Sequence, residues 1–188
     1  MEKDYTKIAI RGSIVIFAFS MVSVFLGFLL RTFLAKNLTV TEYGLIYAVL
    51  SFFGLFALFR DMGLNPAVVK YIPEFMIKNE KSKIKYSIAM TFIIQMLISS
   101  VVFLVILYFS PTLAQSLFKT PDSATVLLFI GLSFVTSVLF HLMQSVFQGL
   151  GRMKLYGLLD PLRTGIVLVT AFVATSLGYG IFGIAFSY

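Results

Sequence analysis

Apolar residues run along this chain in long blocks, and the polar and charged residues collect in the gaps between them. The first block is Ser13 to Leu34, with Arg31 as its one charge; the second, Glu42 to Phe59, is shorter. Met62 to Ile77 would extend the second across a stretch interrupted by Gly63, Pro66 and Pro73. Ser87 to Phe109 carries no charge, and Ser110-Pro111 is expected to stop it, because proline cannot continue the hydrogen-bond ladder. The fourth block is Ser123 to Gln148, with Asp122 or Ser123 as its cap and Gly149-Leu150-Gly151 as its end. Leu158 to Leu177 is the fifth, and Gly178-Tyr179-Gly180 reads as a turn into a sixth apolar stretch, Ile181 to Tyr188. The expected spans are therefore 13–34, 42–59, 87–109, 123–148, 158–177 and the start of a sixth at 181–188.

Lengths of this order match a helix crossing about 30 Å of hydrocarbon, for which about 20 apolar residues are needed. Transmembrane barrel strands would show alternating segments of about ten residues, and the chain has none. The fold class is thus all-α and integral to a membrane, a multi-span helical bundle. Composition agrees, with 59% apolar and 12% charged residues, too little polar surface to cover a water-facing globule. The first block is too long for a cleavable signal and lacks a small-x-small cleavage pattern, so it should remain a span. The last block is too short to cross a membrane, which leads to the expectation that 1–188 is one N-terminal bundle, cut short.

Charge adds direction. Lys3, Lys7 and Arg11 precede the first span; Arg60, Lys70, Lys78, Lys81, Lys83 and Lys85 separate the second from the third; Arg152, Lys154 and Arg163 separate the fourth from the fifth. These alternate regions hold twelve of the fifteen basic residues, leaving Arg31, Lys36 and Lys119 opposite. Basic loops stay on the cytoplasmic side, so the N-terminus is expected inside, in a cytoplasmic membrane. The net charge of +7 is then topological, with membrane lipids rather than nucleic acid as the partner. The absence of cysteine excludes disulfides and cysteine metal sites.

Candidate chemistry is sparse: one His, no acidic residue in the interior of any expected span, and no metal-type cluster, phosphate-cradling loop or nucleophile set. No enzyme, cofactor or metal is expected. Polar residues do recur at helical spacing: Ser20, Ser23, Gly27 and Arg31; Thr91, Gln95 and Ser99; Ser133, Ser137, His141, Gln144 and Gln148. Small members of these lines suit close helix packing. Gln95, His141 and Gln144 must find partners away from water, and an ionisable residue within a span is a site hypothesis. Arg31 can snorkel to the outer interface or face a cavity, where its guanidinium could hold a phosphate through two hydrogen bonds. Thr41 is read as the cap of the second span with Glu42 in its first turn and Tyr43 in the aromatic belt. Arg60-Asp61 is read as a wet charge pair at the inner interface.

Arg11-Gly12-Ser13, the stretch from Leu34-Ala35-Lys36-Asn37-Leu38 into Thr41-Glu42-Tyr43-Gly44-Leu45, Asp61-Met62-Gly63-Leu64, and Lys70-Tyr71-Ile72-Pro73-Glu74-Phe75 before a basic linker resemble the N-terminal part of polysaccharide flippases. Those belong to the multidrug/oligosaccharidyl-lipid/polysaccharide exporter superfamily. The resemblance covers essentially the whole chain and marks Glu42, Tyr43, Gly44, Asp61 and Gly63 as motif residues. It implies the first of two six-helix bundles around a cavity that opens alternately to each side, with the second bundle in the missing C-terminal part of the same chain. It also implies movement of a lipid-linked oligosaccharide, held by its pyrophosphate, for O-antigen, capsule, teichoic acid or glycoprotein assembly. Arg31 matches a cavity arginine by position; Gln95, His141 and Gln144 come from the polar lines alone. Two other functions fit: a cation-coupled multidrug exporter of the same superfamily, disfavoured by the lack of an intramembrane carboxylate, and a non-transporting anchor or assembly partner of a glycosyltransferase complex.

Overall fold

The computed structural model describes residues 2–118, 120 and 123–188, with side chains for all of these except 2–9, 11 and 117. The proposed cap Asp122 and the basic residue Lys119 lie outside the described residues. Every regular element among the described residues is a helix: α1 (Glu2–Asn37), α2 (Val40–Asp61), α3 (Leu64–Ile77), α4 (Lys81–Leu113), α5 (Ser123–Gly149), α6 (Met153–Ser176) and α7 (Gly180–Ser187), with a π-helical turn at Ala114–Phe118. Five of them (α1, α2, α4, α5 and α6) are long and apolar enough to cross a membrane.

Boundaries follow local chemistry. Thr39, not Thr41, caps α2: its hydroxyl accepts from the Glu42 amide at 3.3 Å while the Glu42 carboxylate accepts from the Thr39 amide at 2.8 Å. The Thr-x-x-Glu spacing of a capping box requires this register, because the carboxylate must be three residues past the cap. α4 does not stop at Ser110-Pro111 as expected but runs to Leu113 and into the π-helical turn. A proline this close to a helix end frees only one carbonyl, and a local widening of the helix re-satisfies the backbone around it. Ser123 does not cap outward; its hydroxyl donates back to the Thr120 carbonyl at 2.6 Å. After α5, Gly151 adopts φ +69, and the Arg152 amide reaches back to the Phe147 carbonyl at 2.9 Å, the wrap that closes a helix C-terminus.

The stretch following Phe59 departs most from a simple span. Met62 and Gly63 turn left-handed, at φ 42 and φ 80, and the chain restarts at once as α3, which continues straight through Pro73. α2 and α3 lie end to end along α5. Phe53 stacks on Phe134, Arg60 reaches Ser137, and Val68 and Ile72 pack on Leu142 and Val146. Gly149 permits the last of these approaches, since a Cβ there would sit 3.1 Å from Ile72 and 3.3 Å from the Val68 carbonyl. The α2–α3 pair is therefore one discontinuous element whose break falls beside the middle of α5.

α5 is the hub, packed by α2, α3, α4, α6 and α7. The larger core gathers Leu34, Ile46, Val49, Phe53, Leu127, Ile130, Val167 and Ile184 around it, and a smaller one holds Val68, Ile72 and Leu142. α1 packs mainly on α6 and leaves Phe17, Val24, Phe25 and Phe28 exposed, an apolar rim of the kind that faces lipid.

Candidate functional site

Arg60 occupies the last turn of α2 and is only 4% exposed. Its Nη1 donates to the Phe134 carbonyl at 2.8 Å and to the Ser137 hydroxyl at 2.9 Å, and the guanidinium lies 4.7 Å from the centre of the Phe134 ring. Both hydrogen bonds leave from Nη1, so Nε and Nη2 keep donors to spare. The reading of Arg60 and Asp61 as a wet pair is corrected by this geometry. Successive helical side chains diverge by about 100°, and the two residues turn to different neighbours. Asp61 Oδ1 instead accepts from the Asn65 amide at 3.1 Å and from Gln95 Nε2 at 3.2 Å.

Around the free side of Arg60 opens a cleft of about 130 Å³ lined by Ser133, Ser137, His141, Arg163 and Tyr188, among apolar residues from α2 and α5. Arg163 projects from the middle of α6 and lies 5.2 Å from the centre of the Phe140 ring. His141 is within electrostatic reach of both arginines. No carboxylate lines the cleft. Two permanent cations and an imidazole among apolar walls make a field that favours an anion, strengthened by the low dielectric around it. The volume is below that of pockets enclosing a whole drug-sized ligand, about 300 Å³ or more, and suits a phosphate-sized group.

Of the residues proposed from polar spacing, His141 lines this cleft, with Ser133 and Ser137 of the same helical line. Gln144, beside His141 but not among the residues lining the cleft, donates to Asp160 at 2.9 Å, while Gln95 points to Asp61. Arg31 is exposed on α1, outside the cleft, although it and Arg163 both lie within electrostatic reach of Tyr188. Glu42 completes the capping box of α2, the Tyr43 ring lies tilted against Tyr47 at 4.6 Å, Gly44 has open space beside it, and Gly63 forms the break before α3. Sequence reasoning missed Arg60 and Arg163 because it counted both among the basic residues between spans, although Arg163 falls within the expected span 158–177. The available signal was the apolar run up to Phe59, which places Arg60 inside a helix rather than after it. α6 likewise begins at Met153, earlier than Leu158, so Asp160 lies about two turns inside a membrane helix and corrects the expectation that the spans hold no carboxylate.

The model of the family described as polysaccharide biosynthesis protein matches residues 9–188. An uncharacterized membrane protein of Methanocaldococcus jannaschii is 32% identical over 90 residues, which are 48% of this chain and 18% of that protein. No solved structure matches. A match over nearly the whole chain, on a bundle with five membrane-length helices, places this chain in the polysaccharide biosynthesis protein family as a multi-pass membrane protein.

Proposed function

We propose that the chain forms one bundle of a transporter that moves lipid-linked oligosaccharide or polysaccharide precursors from the cytoplasmic to the outer leaflet. It is read as a carrier rather than an enzyme. The observation that carries this reading is the cleft of Arg60, His141 and Arg163, cationic and free of carboxylates, beside the midpoint of a helix with a lipid-length apolar sequence. The lipid tail of such a substrate is at home in the bilayer, whereas its phosphates would be costly to bury unpaired. A cationic cleft opening between helices removes that cost. Arg31, exposed on α1 and within electrostatic reach of Tyr188, offers a further cation outside the cleft.

In this reading a second bundle closes the far wall, and the two rock between inward-open and outward-open states about a site near the midplane. The N-terminus lies in the cytoplasm. Arg60 and Arg163 sit within helices and drop out of the loop count, but Lys3, Lys7, Arg11, the five lysines from Lys70 to Lys85, Arg152 and Lys154 still favour that side. Translocation of a fluorescent polyprenyl-diphosphate oligosaccharide by the full-length protein in proteoliposomes tests the reading. Arg60→Ala and Arg163→Ala should each reduce transport by a factor of about 30 or more, the cost of losing one partner of a desolvated charge contact. Normal transport by both inserted variants overturns it. Asp160, within α6, favours the cation-coupled exporter as the second reading; efflux of a cationic dye that depends on Asp160 and not on Arg60 would select it.

A further inference from the structure

A larger cavity lies between α6 and α7, with α5 as its third wall. It measures about 500 Å³, within the range of sites that enclose a small ligand, and its walls are mainly aliphatic and aromatic. The Thr170 and Ser187 hydroxyls on those walls are engaged, donating at 2.8 Å to the Ile166 and Gly183 carbonyls. Gly183 and Ala174 close the cavity where the two helices touch, since a Cβ on Gly183 would stand 2.6 Å from that of Ala174. On the α5 side the Phe129 and Phe186 rings meet edge-on at 5.9 Å. Such walls give water few partners and favour hydrocarbon. The cavity adjoins the arginine cleft on all three helices. Ser133 of the cleft is one turn from Phe129 of the cavity on α5, and Tyr188 of the cleft follows Ser187 of the cavity on α7. On α6, Arg163 of the cleft and Thr170 of the cavity lie about two turns apart on the same face.

We propose that this cavity between α5, α6 and α7 holds the hydrocarbon chain of the lipid whose phosphate enters the arginine cleft. The inference rests on the transport reading and deepens it by assigning the chain of the substrate to a named set of helices. A molecule with a charged end and a hydrocarbon chain needs a cationic surface and an apolar one side by side, and the cleft and the cavity supply them. The cleft, at about 130 Å³, has room for a phosphate-sized group and not for the chain attached to it. Val169 and Val173 stand exposed along the rim of the cavity, so a chain enters sideways from the bilayer. Left empty, walls of this extent would forfeit their dispersion contacts. The charges set the orientation and the occupant. Arg163 gives the cavity a cationic end at the cleft, whereas the turn at 177–179 at its other end carries no charge. A bulk phospholipid seated with its headgroup at that turn would find no cation in it, so the lipid held here is the one anchored at the cleft.

A polyprenyl diphosphate carrying a diazirine in its hydrocarbon chain is photolysed with the full-length protein in phosphatidylcholine nanodiscs, and the labelled residues are mapped by mass spectrometry. Labels are expected on α6 and α7 between residues 169 and 187, displaced by unlabelled polyprenyl diphosphate. Val173→Trp, which fills the cavity from its exposed rim, should weaken binding of this probe about tenfold or more while leaving binding of inorganic pyrophosphate unchanged. Arg60→Ala should weaken both, and Val24→Trp, an insertion of the same size on the exposed face of α1, should weaken neither. If Val173→Trp does not insert, Val169→Trp on the same rim carries the test. Labels confined to other helices, or full affinity for the probe in the cavity-filling variant, overturn the cavity assignment and leave the transport reading standing. Labelling of the cavity by a photoreactive phosphatidylcholine that polyprenyl diphosphate does not displace marks a groove for bulk lipid and overturns it as well. Binding of neither diphosphate removes the transport reading itself, and the cavity assignment with it.

Discussion

Arg31 and Arg60 are alike in sequence: each is a lone arginine within a few residues of the C-terminal end of an apolar helix. In the folded bundle they are opposites. Arg60 is enclosed against the hub helix, with two acceptors and an aromatic face, whereas Arg31 stands exposed on the rim helix α1. The difference arises from the neighbours. α2 is wedged along α5, so its last turn has nowhere to go but inward, while α1 touches chiefly α6 and keeps most of its circumference open. An intramembrane arginine therefore becomes a site residue when its helix lies against the hub.

The contrast is broken most directly at the two arginines. Arg60→Ala should lower stability by about 1–3 kcal/mol, through loss of hydrogen bonds from a charged donor, whereas Arg31→Ala should change it by less than about 0.5 kcal/mol. Thermal unfolding of both variants in the same detergent reads this out, and equal shifts would erase the distinction. Glycines sharpen it next. Gly149→Val must push against Ile72 and the Val68 carbonyl and should cost about 1–3 kcal/mol, whereas Gly27→Val on α1 meets nothing within 4 Å and should be close to neutral. A Gly27 variant as damaging as the Gly149 variant would mean that the α1 face is packed in the membrane.

Ser137→Ala probes the hub more gently. It removes one of the two acceptors of Arg60 and leaves the Phe134 carbonyl, for an expected loss of about 1 kcal/mol; Ser20→Ala on α1 should register no change. The smallest effect belongs to the water-exposed pair Glu74 and Lys78 at the end of α3, joined at 2.6 Å. Its hydrogen bond to Lys78 holds the Glu74 carboxyl below the usual carboxylate range and raises the Lys78 ammonium above its ordinary value. Support for the last turn of α3 is thus present above the ordinary Glu value and lost as pH falls through the lowered one. It is equally present below the ordinary Lys value and lost as pH rises through the raised one. Amide exchange at Lys78 and Asn79 should accelerate at both extremes in the native protein, and Glu74→Gln should remove the acid limb.

The polar line of α5 could be read from spacing, because residues three and four apart share a face in any helix. Which residues of other helices would meet that line could not. Arg60 lay just past the expected second span and Arg163 was counted with the basic residues between spans despite falling within 158–177, and only the packed helices bring the two to one cleft. Gln95 was singled out correctly as a buried amide, yet its partner Asp61 is 34 positions away, a pairing that no local pattern encodes. The extension of the second span past Gly63, Pro66 and Pro73 was legible as a broken stretch, but not that the two pieces would line up along α5.

The sequence by itself determined that this chain lives in a bilayer as helices. The lengths of its apolar blocks and the need to satisfy every backbone group in hydrocarbon leave no other regular structure, and basic residues at alternate gaps bias its orientation. Tertiary structure decided which polar residues are enclosed. In a chain where nearly every helix is apolar all round, periodicity does not distinguish the face that meets lipid from the face that meets protein. That choice is made by shape, through close approaches such as Gly149 on α3 and through the left-handed break at Met62-Gly63, and it is what turns Arg60 toward the cleft and Asp61 toward Gln95.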